Sequence, residues 1–125
     1  MPLTDVYEKA LLDWLTGAAS VTRPSARWLS FATASPTSQS SFDGPFSPRA
    51  TVTFAGANSP QGSVTNLNAF SNITATAAGT AVGWNLWDAS TGGTRIAYGT
   101  ATIALGCKSA DNIGIAGGAI VITLT

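Results

Sequence analysis

The sequence predicts a mainly β protein, an antiparallel β-sandwich or small barrel with one N-terminal amphipathic helix. Three observations carry this. Short stretches alternate polar and apolar residues and are separated by clusters of Gly, Pro, Asn and Ser, the punctuation of a β meander. Ala (21), Gly (13), Ser (13) and Thr (17) fill about half of the 125 positions, whereas Leu, Ile, Val and Phe together number only 27, which suits thin β layers. One segment alone has helical periodicity, at the start. The length fits one domain, 1–125, with the helix in 1–17 and the β domain in 27–125.

The helix is expected over 4–16. Leu3, Tyr7, Ala10, Leu11, Trp14 and Leu15 fall on one stripe of a 3.6-residue repeat. Thr4 or Asp5 would cap its start, with Asp5 and Glu8 as a capping box, and Gly17 would stop it. The stripe needs a cover, which is either the chain's own β domain or a neighbouring subunit. A connection over 17–26 leads to a strand over 27–34 (RWLSFATA). Residues 35–50 form a long loop with three prolines, the Asp43-Gly44 turn signal, Phe42 and Phe46. Loops of this length in small domains are functional or mobile.

Residues 50–87 carry no charge. Thr51–Gly56 alternates as a half-buried strand does, and a turn over 56–62 follows. SVTNLNAF and NITATAA are candidate strands. In AVGWNLW, Val82, Trp84 and Leu86 share one face, and Asn85 and Trp87 the other. Residues 88–94 (DASTGGT) make a hairpin loop, with RIAYGTATIAL as the return strand. CKSADN turns the chain, and 113–124 is one strand, or two broken at Gly117-Gly118.

Composition excludes several functions. Six basic and six acidic residues leave no net charge, against nucleic-acid binding by phosphate neutralisation. The absence of histidine removes His-dependent catalysis and most zinc sites. A single cysteine permits no internal disulfide. No segment is apolar for the length of a membrane span, and the acidic start is unlike a signal peptide. Synthesis in a reducing cytosol is therefore expected.

Asp43, Asp88 and Asp111 are candidates for acid–base work, but each sits in an expected turn, where Asp bonds backbone N–H groups. Cys107 beside Lys108 has the charge to lower a thiol pKa but no base partner, and reads as a small apolar residue. Gly92-Gly93 and Gly117-Gly118 match no phosphate-binding motif. Asn72-Ile73-Thr74 matches the glycosylation triplet, which carries no weight without a secretory signal. Trp14, Trp28 and Trp84 read as core anchors. Trp87, with Asn85 as its neighbour on that face, is the candidate for stacking on a sugar or anchoring a partner. No catalytic residue, metal or cofactor is expected, and the chain reads as non-enzymatic.

The stretches MPLTDVYEKALLDWLTG, WLSFATASPT, RATVTFAGA, WNLWDASTGGTRIAYGTAT and SADNIGIAGGAIVITL together resemble a family of small tailed-phage virion proteins often labelled tail fibre proteins. Asp88, Ala89, Gly92 and Gly93 form its hairpin signature. The family's usual Gly-x-Tyr-x-Arg stretch is replaced by GPFSPRATVTF, with Phe46 and Arg49 in corresponding places. The resemblance implies a structural virion subunit, on the capsid as a decoration or cement protein or on the tail as a fibre component. Its implied partners are other virion proteins and further copies of itself, with a host-surface glycan as the alternative. The expected contact residues are Leu3, Tyr7, Leu11, Trp14 and Leu15 on the helix, Phe42, Phe46 and Arg49 in the loop, and Trp87.

Overall fold

A computed structural model describes residues 3–56 and 63–123. Its elements are α1 (Asp5–Leu15), β1 (Trp28–Ala32), β2 (Phe46–Ser47), β3 (Ala50–Thr51), β4 (Ser63–Thr65), β5 (Phe70–Ala75), β6 (Gly79–Trp87), β7 (Arg95–Cys107), β8 (Asn112–Ile115) and β9 (Val121–Thr123). They form antiparallel sheets in the orders β3-β1-β6-β7, β2-β5-β8 and β4-β9. The mainly antiparallel β class is as the sequence predicts. The sheets are open, so of the two architectures expected the barrel is excluded.

The period of two assigns each strand its faces. In the β1–β6 register Leu29 lies opposite Leu86 and Phe31 opposite Trp84, while Trp28 lies opposite Trp87 and Ser30 opposite Asn85. Leu29, Phe31 and Leu86 enter a core completed by Ile73 and Ala75 of β5, Ile113 of β8, and Ile120 and Ile122. Phe31 meets Phe46 edge-on, ring centroids 6.1 Å apart, tying the first sheet to the second. The other face, carrying Ser30, Asn85 and Trp87, becomes the floor of the candidate site.

Four local expectations are corrected. Thr4 is the N-cap of α1, but its side chain makes no cap hydrogen bond. Its Oγ1 donates instead to the Arg95 carbonyl at 2.5 Å, and its N–H bonds the Ile96 carbonyl. With that hydroxyl spent on β7, and Asp5 inside the helix, no capping box forms. Leu3 pairs with Ala97 and is buried, so the chain enters α1 from the edge of β7 rather than from above a sheet face. For this reason α1 buries none of its residues, and Trp14, expected in the core, is 60% exposed. The left-handed Gly17 (φ +79°) ends the helix as expected.

The loop expected over 35–50 is not free of structure. It contains β2, reaches β3 at Ala50 and pairs Asp43 with Ala32. The strands expected over 51–56 and 63–70 are shorter than their patterns. Buried Val52 and exposed Thr53 keep the alternation, but pairing there is limited to Thr51 and the Phe54–Asn66 bridge. β4 ends where Asn66, 2% exposed, takes over the backbone's bonding: its Nδ2 donates to the Asn68 and Ala116 carbonyls and its Oδ1 accepts from the Ile120 N–H. All but Gly56 of the turn expected over 56–62, and Leu124, lie outside the described residues.

β7 carries a wide bulge. Ala81 faces Leu105 and Gly83 faces Thr100, so two steps on β6 match five on β7. Ile103 sits on this bulge and is 83% exposed. The C-terminal segment resolves into two strands, β8 and β9, broken at Gly117 and the left-handed Gly118 (φ +82°).

Candidate functional site

The outer face of the first sheet is polar and covered. Arg95, at the start of β7, is 8% exposed. One guanidinium nitrogen donates to Asn85 Oδ1 (2.8 Å) and the Ser40 carbonyl (3.1 Å), and the other to the Thr37 carbonyl. Its plane lies 4.7 Å over the Tyr98 ring. Asn85 in turn donates to the Ser41 carbonyl and to Asp43 Oδ1, both at 2.9 Å. Ser30 also donates to Asp43 Oδ1 (2.8 Å), and Trp87 Nε1 donates to Ser30 (3.0 Å). Every buried side-chain nitrogen and oxygen among the described residues has a partner. The network clamps the loop from Thr37 to Asp43 onto β6 and β7. This loop is held, not loose.

At the hairpin end the same face continues outward. The left-handed Gly92 and Gly93 (φ +59° and +76°) turn the chain, and Asp88 Oδ1 accepts from the Thr94 N–H at 2.7 Å. A side chain at Gly93 would meet Asp88 Oδ1 at 2.4 Å, so the glycine lets the carboxylate close the loop. Arg49 donates to the Ala89 and Gly92 carbonyls, each at 2.8 Å, and lies 4.1 Å over Trp87. One ring face of the candidate sugar platform is thus occupied by a guanidinium. A groove of about 210 Å³ opens beside it, lined by Ser30, Asp43, Phe46, Arg49, Ser90 and Gly92 among others.

The second feature is α1. Val6, Leu11, Leu12, Trp14 and Leu15 are exposed, by 39% to 74%. An apolar groove of about 360 Å³ runs between α1 and the segment before β1, lined by Tyr7, Leu11, Trp14, Val21 and Pro24, with Arg23 and Arg27 also at its walls. Tyr7 joins the two features by donating to Asp88 Oδ2 at 3.2 Å.

The charged side chains of the polar face and the turns, Asp43, Arg49, Asp88, Arg95 and Asp111, are committed to structure. Asp88 and Asp111 accept from the nearby Thr94 and Lys108 N–H groups, as turn carboxylates do, whereas Asp43, expected to do the same, accepts from the distant side chains of Ser30 and Asn85. Burial, and then Asp111, pushes the Cys107 thiol upward, opposite to the lowering that neighbouring Lys108 suggests from sequence. Burial lowers Arg49 and Arg95 from their ordinary value, opposed by Asp43 and Asp88 for Arg49 and by Tyr98 and Asp43 for Arg95. Among the described residues no three acidic or cysteine side chains cluster as a metal site would require.

Tyr7 is raised above its ordinary 10.0, by burial first and then by Asp88. The fold therefore favours the protonated phenol. That contribution is complete below the unfolded tyrosine range and is lost as pH rises through the folded value. Stability is expected to fall above about pH 10, with Tyr7→Phe flattening part of the fall; thermal melts from about pH 8 to 11.5 check this. Identical alkaline slopes for parent and variant would exclude a Tyr7 contribution.

The expected contact residues separate into distinct settings. Leu3 is buried in the chain's own core, so its place on an outward contact face is corrected. Leu11, Trp14 and Leu15 are exposed, and Tyr7 is half-buried. Phe42 is exposed with φ +50°, whereas Phe46 packs against Phe31 and the core. Arg49 and Trp87 are stacked on each other. Sequence reasoning passes over Arg95. Its one signal is that it is a charge at the head of a strand free of charges, across from the face assigned to Asn85 and Trp87.

A search of curated proteins finds no match. A family model described as "Podophage GP4 fiber I protein gp80" matches residues 2–123. Because that match spans nearly the whole chain, the protein belongs to this phage fibre family.

Proposed function

We propose that the chain is a non-enzymatic structural subunit of a podophage particle, mounted on the tail as a fibre component, and that it works by being assembled. The family match over residues 2–123 carries this reading. The physical features agree with it. Asp43, Asp88, Asp111 and Arg95 are all bound into loops and turns, so the groups a catalyst would use hold the fold instead. The exposed apolar side chains are concentrated on α1, as expected where a partner surface completes the structure.

Particles produced without the gene and complemented in trans test the reading. The complemented chain should co-purify with tails, and labelled chain should be located there by electron microscopy. Particles lacking it should show no change in any enzymatic digestion of host envelope but should lose the appendage. Recovery on heads and not on tails would favour the capsid-decoration reading. Absence from purified particles would refute the virion role.

The groove beside Arg49 supports a second reading, as a host-glycan site, because Ser30, Asp43 and Arg49 bring donors and acceptors together at its wall. Stacking on Trp87 would use the ring face that Arg49 leaves open, or would displace Arg49. Titration of a glycan panel against the parent and Trp87→Ala tests this reading. A response in the parent that is lost in the variant supports it, and no response in the assembled protein refutes it.

A further inference from the structure

We propose that α1 docks on a second copy of this chain, its outer stripe filling the apolar groove that lies along that copy's own α1. This rests on the assembly role proposed above and gives it a partner and a contact.

The helix has two different apolar faces. Tyr7, Leu11 and Trp14, spaced by four and three, line the groove of about 360 Å³ with Val21 and Pro24. Asp5, Glu8, Leu12 and Leu15, spaced by three, four and three, form another stripe, and none of them lines that groove. Leu12 and Leu15 are 61% and 74% exposed. A helix apolar on one face covers it with its own domain; this one meets its domain chiefly through Thr4 and Tyr7 and leaves both faces uncovered.

Charge selects the occupant. The groove wall carries Arg23 and Arg27, and among the described residues the one ion pair is Lys9–Asp13. Among those residues the guanidiniums therefore have no carboxylate partner within the chain, and Asp5 and Glu8 have no cation. The outer stripe bears those two carboxylates on the same side as its two leucines. Laid in the groove of another copy, it buries Leu12 and Leu15 between Tyr7, Trp14 and Pro24 and brings Glu8 and Asp5 toward Arg23 and Arg27. A neutral or basic partner helix would lack this match. Stripe and groove are different surfaces of one chain, so every copy offers one of each, and the contact is satisfied either reciprocally in a two-fold pair or head to tail around a closed ring.

The test is the mass of the full chain by light scattering across a concentration series. The parent should form a discrete oligomer. Leu12→Lys with Leu15→Lys should be monomeric at concentrations where the parent is assembled. Both substitutions favour the isolated helix, the first by placing a cation four positions after Glu8 and the second by placing one at the helix C-terminus. Unchanged circular dichroism then separates lost docking from lost folding. Arg23→Glu alone and Glu8→Lys alone should each raise the concentration for half-assembly by about tenfold or more, and the two together should restore it. A monomeric parent, an oligomer unaffected by the lysine substitutions, or a charge swap that restores nothing overturns the proposal. A monomeric parent that still incorporates into particles overturns this contact and leaves the virion role intact. An oligomer of the expected kind that never appears on particles does the reverse.

Discussion

Replacing Arg95 with alanine is expected to destabilise the protein by about 3 kcal/mol, a large effect for a single polar substitution. The guanidinium serves Asn85 Oδ1 and the carbonyls of Ser40 and Thr37 from a position only 8% exposed. Alanine leaves the fully buried Asn85 Oδ1 facing a hole without a donor and frees the Ser40 and Thr37 carbonyls, and an orphaned buried acceptor costs more than its bond contributes. Loss should spread along the network, because Asn85 also holds Ser41 and Asp43, and Asp43 holds Ser30 under Trp87. Arg95→Lys should recover only part of the loss, since one ammonium cannot reproduce two nitrogens aimed at separate loop carbonyls while lying flat on Tyr98. Urea unfolding gives the magnitude, and limited proteolysis should show new cleavage between residues 37 and 43. A variant within about 0.5 kcal/mol of the parent, the usual range for surface changes, would mean that the loop is not held by Arg95.

The same cluster shows what was legible beforehand. Strand alternation predicts β1 and β6 and the two faces of β6, because period two needs only the residues themselves; their pairing, which sets Trp28 opposite Trp87 and not in the core as expected, is not in that pattern. The hairpin at Asp88–Thr94 is legible for a local reason as well: two consecutive glycines and an Asx turn specify it without help from the rest of the chain. The loop over 35–50 is not legible. Its order comes from Arg95 and Asn85, forty to sixty positions away, and no local pattern encodes such a contact. Trp14 fails differently. Its stripe is real, but whether a stripe is covered depends on how the chain enters the helix. That entry is decided by Thr4 bonding β7 in place of capping α1. The contact residues split along the same line. Leu11, Trp14 and Leu15 are outward because of that entry, whereas Leu3 is inward because it is part of it.

A second large effect is expected where sheet and helix meet. Trp84 on β6 pairs with Gly99 on β7, and the indole lies over the glycine. A Cβ added at Gly99 would stand 2.5 Å from Trp84 Cζ2 and 2.7 Å from Nε1, closer than such atoms approach. Gly99→Ala must therefore push the ring out of its place against the core, at about 2–3 kcal/mol, the upper part of the range for overpacked cores. Gly99→Val should cost more. If the indole is the cause, Trp84→Phe in the Gly99→Ala background should cost less than the two single changes together, by about 1 kcal/mol. Additive effects would place the strain in the β7 backbone instead. The consequence reaches α1. Ala97 and Ile96, two and three residues before Gly99, hold Leu3 and Thr4 and so anchor the helix. Displacing β7 should loosen that anchor, and hydrogen exchange at the Thr4 amide, bonded to the Ile96 carbonyl, should quicken in Gly99→Ala more than exchange within β5 and β8. If the surface of α1 is what assembles, the variant should then lose assembly at temperatures where its sheets remain folded, because the strand that carries the packing also sets the direction of the helix.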